Sequence, residues 1–289
     1  MKPRKLLLML FAAALTALCL TACGAKKDGM SYKTIEGGIA ITGYTDKTSV
    51  TELKIPDEID GQPVIRVDDF GVCNAESLLK ITLGKNVKEL GGWAFTNNQH
   101  LTEFAVDPEN AYFEAVDGVL FTKGMTVLCY YPCGRGVQFD QYGRAENAVQ
   151  YAIPEGVQII GTKAFYKCGH VDIVSFPSTL TTICEKAFFK CYYYEEFNKD
   201  KTVISGLTNF TLPEGVTVIE KDAFAYDELL TEVTLPSTLT EIGDFAFFNC
   251  KNMQKLKLLC AEEGLKQGEK WQPSAKGKIM TECEVVFAK

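Results

Sequence analysis

Apolar positions along the chain fall into a unit with two halves of different periodicity. In residues 230–250, LTEVTLPSTLTEIGDFAFFNC, Leu230, Val233 and Leu235 end in the alternation of a short strand. Pro236 stops it, because proline has no N–H to give to a ladder. Leu239, Ile242, Ala246 and Phe247 then follow at helical steps, which predicts a turn or two of helix on the back of a coil. The same strand recurs at Leu53-Ile55-Pro56, Ile81-Leu83, Phe104-Val106, Tyr151-Ile153-Pro154, Val174-Phe176-Pro177 and Phe210-Leu212-Pro213. Phe165 and Phe188 lie 23 residues apart, as do Phe224 and Phe247, and Val72 and Phe95. A fixed period in this range marks a solenoid, in which no coil buries its apolar face without its neighbours.

The pattern L-x-x-V-x-L-P, then L-x-x-I-G-x-x-A-F-x-x-C, resembles the leucine-rich repeat of BspA-like bacterial surface proteins from about Val50 to Leu258. Residues Ile39 to Tyr44 followed by Ile55 to Gly61 resemble that family's opening hairpin. The resemblance implies a leucine-rich repeat solenoid over residues 32–260, with short parallel strands on a concave face and short helical turns behind. It also implies a surface or secreted binding protein, adhesion being one such role, although the fold does not name a ligand.

Two stretches interrupt the repeat. Over about 107–147, Asp117-Gly118 and Lys123-Gly124 separate alternating apolar runs, which predicts a β-meander projecting from the solenoid. Residues 195–206 form the second insertion, after Tyr192, Tyr193 and Tyr194; the last is expected in the core and the other two on an edge turn, where Phe197 could join them. Residues 261–289, with Trp271 and Val285-Val286-Phe287, are expected to cap the open end.

Composition changes the picture at the N-terminus. Residues 1–22 carry Lys2, Arg4 and Lys5, an apolar stretch from Leu6 to Leu20 and a small-residue exit, the layout of an export signal. Leu20-Thr21-Ala22-Cys23 resembles a bacterial lipobox, which implies cleavage before Cys23, acylation of its sulfur and a lipid anchor at a membrane. Residues 23–31 would form the tether. Loss of the leader's three cations takes the formal charge from −7 to −10. No basic stripe exists for nucleic acid.

Candidate chemistry is sparse. Cys168, Cys191 and Cys250 share a repeat position with Ala75 and Asn98, so packing of a small residue explains them, although a Cys168–Cys191 bridge between coils is possible. Cys129 with Cys133, or Cys260 with Cys283, are the better disulfide candidates because they lie outside the regular ladder. None of the 11 cysteines has zinc-site spacing. His100 and His170 each precede the first apolar residue of a strand unit and read as turn residues. No catalytic, metal or cofactor motif is present.

What remains is the outward side of the strands, since strand side chains alternate between core and solvent. It carries Glu52 and Lys54, Lys80 and Thr82, Glu103 and Ala105, Gln150 and Ala152, Ile173 and Ser175, Asn209 and Thr211, Glu232 and Thr234, and Lys255 and Lys257. The sequence therefore predicts a non-enzymatic, lipid-anchored surface protein, outside the cytoplasm, that binds an extracellular protein or glycan on this face without a cofactor. A self-associating envelope scaffold is the alternative, followed by an enzyme acting on envelope polymers, whose paired carboxylates would leave no local signature.

Overall fold

The computed structural model describes residues 25–46, 48–141, 145–197, 201–276, 278–279 and 283–288. The leader and Cys23 lie outside them. The chain coils into stacked units of one longer strand, one short strand and a turn. The short strands form a ladder, Val127–Tyr130, Ile159–Ile160, Thr182–Ile183, Val218–Ile219, Glu241–Ile242 and Lys266–Gln267, each parallel to the next. Strands begin at Ala25–Lys27 and Met30–Ile35, so the stretch expected as a tether is structured from Ala25 onward.

The helical turns expected behind the strands are not there: the described residues contain no helix. In residues 161–168, the N–H groups of Ala164, Tyr166 and Cys168 reach back three residues to Gly161, Lys163 and Phe165. Those of Lys163, Phe165 and Lys167 instead donate to Glu185, Ala187 and Phe189 of the next coil, at 3.0, 2.8 and 2.9 Å. Lys163 and Lys167 are left-handed, with φ of 59° and 58°, and Lys186 with Lys190, Asp222 with Tyr226, and Phe245 with Asn249 repeat the pair. A right-handed helix needs negative φ throughout. Left-handed residues four apart turn alternate donors outward, so the turns hydrogen-bond between coils rather than within one.

This turn explains the Ala-Phe pair. Rings of Phe165, Phe188, Phe224 and Phe247 stack along the axis, with centroids 4.9, 5.3 and 5.2 Å apart and planes within 11°. Each is fully buried, worth about 1.5–3 kcal/mol per ring. The adjoining alanines are buried too, and a larger side chain there would wedge the coils apart.

The meander is part of the wall rather than a projection. Phe113–Val116, Val119–Thr122 and Val127–Tyr130 pair antiparallel, and the last becomes the first rung of the short-strand ladder. Asp117 and Gly118 form its turn, both with positive φ. Alternation and a register shift between the Leu120–Tyr130 and Phe121–Leu128 pairs let it serve two cores: Leu120 and Tyr130 pack with the N-terminal coils, Val119, Phe121 and Leu128 with the C-terminal ones. Tyr131 N–H donates to Ala164 O as Phe165 N–H does to Ala187 O, so the segment after the meander substitutes for a coil turn. That placement brings Cys133 to Cys168, and these two form the disulfide, with Cα atoms 4.7 Å apart. The expected pairings fail: Cys129, Cys191, Cys260 and Cys283 are free thiols.

The second insertion is a hairpin, Tyr192–Phe197 against Lys201–Gly206. The side chains of Tyr194 and Phe197 lie outside the described residues. At the C-terminus, Glu284–Phe287 pairs parallel to Lys255–Leu258 and extends the ladder by one strand. Trp271 is buried, and its indole N–H donates to Gln267 Oε1 at 3.0 Å.

Candidate ligand-binding face

The longer strands do not form one sheet. Glu52–Lys54, Lys80–Leu83 and Glu103–Val106 make a first ladder, Val149–Ala152 with Val171–Ser175 a second, and Asn209–Thr211, Glu232–Leu235, Lys255–Leu258 and Glu284–Phe287 a third. The breaks coincide with the meander and the hairpin. Within each ladder, outward residues register in rows: Glu52, Lys80 and Glu103; Lys54, Thr82 and Ala105; Asn209, Glu232, Lys255 and Glu284; Thr211, Thr234 and Lys257.

Two of the lysines are matched by cross-strand acids. Lys80 pairs with Glu103 at 2.8 Å and Lys255 with Glu284 at 3.1 Å. The Glu103 carboxylate raises the Lys80 pKa, first by hydrogen bonding and then by its charge. Such half-exposed pairs contribute little to stability, and they lower the free positive charge at both ends of the face.

The middle ladder departs from the expected phase. Gln150 registers with Asp172 and Tyr151 with Ile173, and the register slips by one residue before Ala152 meets Ser175. The bulge turns Ile173 inward, where it is 4% exposed, and puts Asp172 in the outward row in its place. Burial raises the Asp172 carboxyl pKa.

Beyond the bulge, the 171–175 strand does not pair with the 209–211 strand of the following coil among the described residues, although their short strands are hydrogen-bonded. The outward surface opens there into a notch of about 450 Å³. Half-buried Phe176 and Phe210 line it, their centroids 5.4 Å apart, along with Ser175, Asn209, Thr211, Glu232 and Thr234. Among the described residues, none of those five polar side chains is held by a hydrogen bond or an ion pair within the chain. Threonines one residue outside this row behave differently: Thr102 and Thr231 donate to carbonyls of the preceding coil. Glu52, Lys54, Lys80, Thr82, Glu103 and Gln150 lie on the other two ladders, and Lys255 and Lys257 one strand farther along the third.

The sequence matches the BspA-type leucine-rich repeat region in six copies, over residues 39–116, 142–206 and 203–267. The chain belongs to this family. Solved structures similar to the BspA-type chain include the pneumococcal vaccine antigen PcpA, 15% identical, with 92% of this chain and 98% of that one covered and a TM-score of 0.49. A leucine-rich cell surface protein of Faecalibacterium prausnitzii is 16% identical over 84% of this chain and 97% of its own, with a TM-score of 0.43. The T. pallidum leucine-rich repeat protein is 22% identical over 85% and 86%, with a TM-score of 0.40. None of the curated proteins compared with the BspA-type chain matches it.

Two features escaped the repeat phase of this BspA-type solenoid. His170 is buried rather than in an open turn, and its Nδ1 has no partner among the described residues. Its ring meets Tyr193 at 4.2 Å and Phe139 at 6.1 Å, and Phe139 also meets His100 at 4.7 Å. Burial, then the neighbouring His100, depresses the His170 pKa to about 4. The second is Asp227, fully buried on the row of small residues, with Oδ2 unpartnered among the described residues. Among the described residues no group of histidine, cysteine or carboxylate side chains is arranged to hold a metal.

Proposed function

We propose that the protein is a non-enzymatic binding protein of the bacterial cell surface, lipid-anchored through Cys23, that captures an extracellular protein or glycan on the outward face of its longer strands. The notch carries this reading: among the described residues its polar side chains have no partner within the chain, and they stand on a scaffold packed around the phenylalanine stack. Leu20-Thr21-Ala22-Cys23 supports the anchor and the export signal of residues 1–22.

Face and anchor are tested separately. Full-length protein displayed on cells is assayed for capture of extracellular proteins and glycans, beside a variant carrying Lys80→Glu, Gln150→Lys and Glu232→Lys. Capture falls in the variant while thermal unfolding stays within a few degrees; equal capture removes this face from consideration. Cys23→Ser releases the protein from membranes, and continued membrane partitioning refutes the anchor.

A further inference from the structure

We infer that the notch between the 171–175 and 209–211 strands is a subsite for a hydroxyl-rich, non-anionic oligosaccharide. This inference rests on the binding role proposed above and gives it a ligand class.

Shape excludes the main competitor. A peptide strand inserted between two strands needs them about 9.5 Å apart, twice the ladder spacing. The rings of Phe176 and Phe210, 5.4 Å apart at their centroids, already occupy the gap between the two strands, and the short strands of the same two coils remain hydrogen-bonded. The opening is thus a wedge on one side of the stack, and a ligand lies across it rather than within it. Lining chemistry decides the rest. A peptide docked by side chains would need apolar pockets, whereas the notch offers three hydroxyls, one amide and one carboxylate around partly exposed rings.

That inventory suits a pyranose. Its C–H face can pack on the exposed parts of the Phe176 and Phe210 rings, which are backed by Phe188 and Phe224 at 5.9 and 4.9 Å. Asn209 supplies a donor and an acceptor from one planar group, the geometry that adjacent hydroxyls present. Thr211 and Thr234 register side by side, and Glu232 registers with Asn209, so the polar atoms form a two-by-two patch. Glu232 is the one formal charge in the notch and has no ion-pair partner among the described residues, because Lys255 beside it pairs with Glu284. An uncompensated carboxylate repels uronates and sialates, and accepts from hydroxyl or ammonium groups.

The test is a printed array of neutral, amino-bearing and carboxylate-bearing oligosaccharides probed with the full chain. Binding is expected on the first two classes only. Asn209→Ala weakens it about tenfold without shifting the melt, and Lys123→Ala, in an exposed turn of the meander away from the outward face, leaves it unchanged. Glu232→Gln admits carboxylate-bearing glycans. An array with no bound glycan, a preference for carboxylate-bearing glycans, or equal binding by Asn209→Ala overturns the inference. If the array is empty while the triple face variant still loses capture on cells, the glycan assignment falls and the binding face stands. If neither the array nor capture responds, both fall.

Discussion

Asp227 occupies the repeat position that Asn98 fills nearer the N-terminus, and each accepts a backbone N–H from the preceding coil. The distances are 2.5 Å from Cys191 N to Asp227 Oδ1 and 2.9 Å from Ala75 N to Asn98 Oδ1. Asn98 then donates through Nδ2 to the carbonyls of Val72 and Phe95. Asp227 has no such donor while ionised, and its Oδ2 is left without a partner among the described residues. Burial pushes its pKa well above the ordinary 3.8, and the Cys191 N–H only partly offsets this. The carboxyl is therefore protonated in the fold over a range where the unfolded chain has released its proton. Stability from this site is complete below about pH 3.8 and is lost as pH rises toward the folded-state value. Asp227→Asn, which restores the Asn98 arrangement, should stabilise the protein by roughly 1–3 kcal/mol at neutral pH. The gain should shrink on acidification in parallel melts, and a gain independent of pH would contradict protonation.

His170 works in the opposite direction. Its pKa falls from 6.5 to about 4, first through burial and then through His100, so the folded ring stays neutral where the unfolded one takes up a proton. Stability is lost as pH falls from about 6.5 toward 4, by up to about 3 kcal/mol from this residue. Denaturant titrations of His170→Gln between those pH values should show a flatter profile than the parent; equal slopes would place the acid sensitivity elsewhere.

The strands, the Ala-Phe core and the family resemblance were legible in the sequence because each depends on side-chain alternation and a fixed period. Backbone handedness was not. Lys163, Lys186 and Phe245 are poor sequence signals for positive φ, yet that conformation converts a helical spacing into a hydrogen-bonded turn. The bulge was equally hidden, since Val171, Ile173, Val174 and Phe176 offer apolar residues in both phases, and only packing chooses Ile173. The candidate face was legible as a row of residues. The notch was not, because it arises where an insertion forces neighbouring strands apart.

The disulfide should carry much of the stability of the junction. Cys133 and Cys168 are 35 residues apart in sequence, and closing a loop of that size stabilises by about 3–4 kcal/mol in the chain-entropy account. Cys133→Ser, or reduction of the parent, should lower the melting temperature substantially, whereas Cys129→Ser, a free thiol, should change it little. Peptide mapping without reduction should find the 133–168 link; a Cys129–Cys133 or Cys260–Cys283 peptide would correct the structure.

Tyr130 gives the most searching test of how the two cores are joined. Its hydroxyl donates to Gly91 O at 2.5 Å and receives the Ala94 N–H at 3.2 Å, while its ring packs edge-on against Phe95 at 5.3 Å. A solenoid is stabilised between nearest neighbours, so a weakened junction does not spread its cost evenly; it lets the segments on either side unfold apart. Tyr130→Phe keeps the ring and removes only the hydroxyl, leaving Gly91 O with one partner fewer at a cost of about 1–3 kcal/mol. Amide exchange should accelerate first at residues 91–94 and in the 127–130 strand, with the phenylalanine stack from 165 to 247 unaffected. Calorimetry should then resolve the single transition into two. Uniform acceleration throughout the chain would mean that the two cores fold as one unit and that Tyr130 only adds to their common stability.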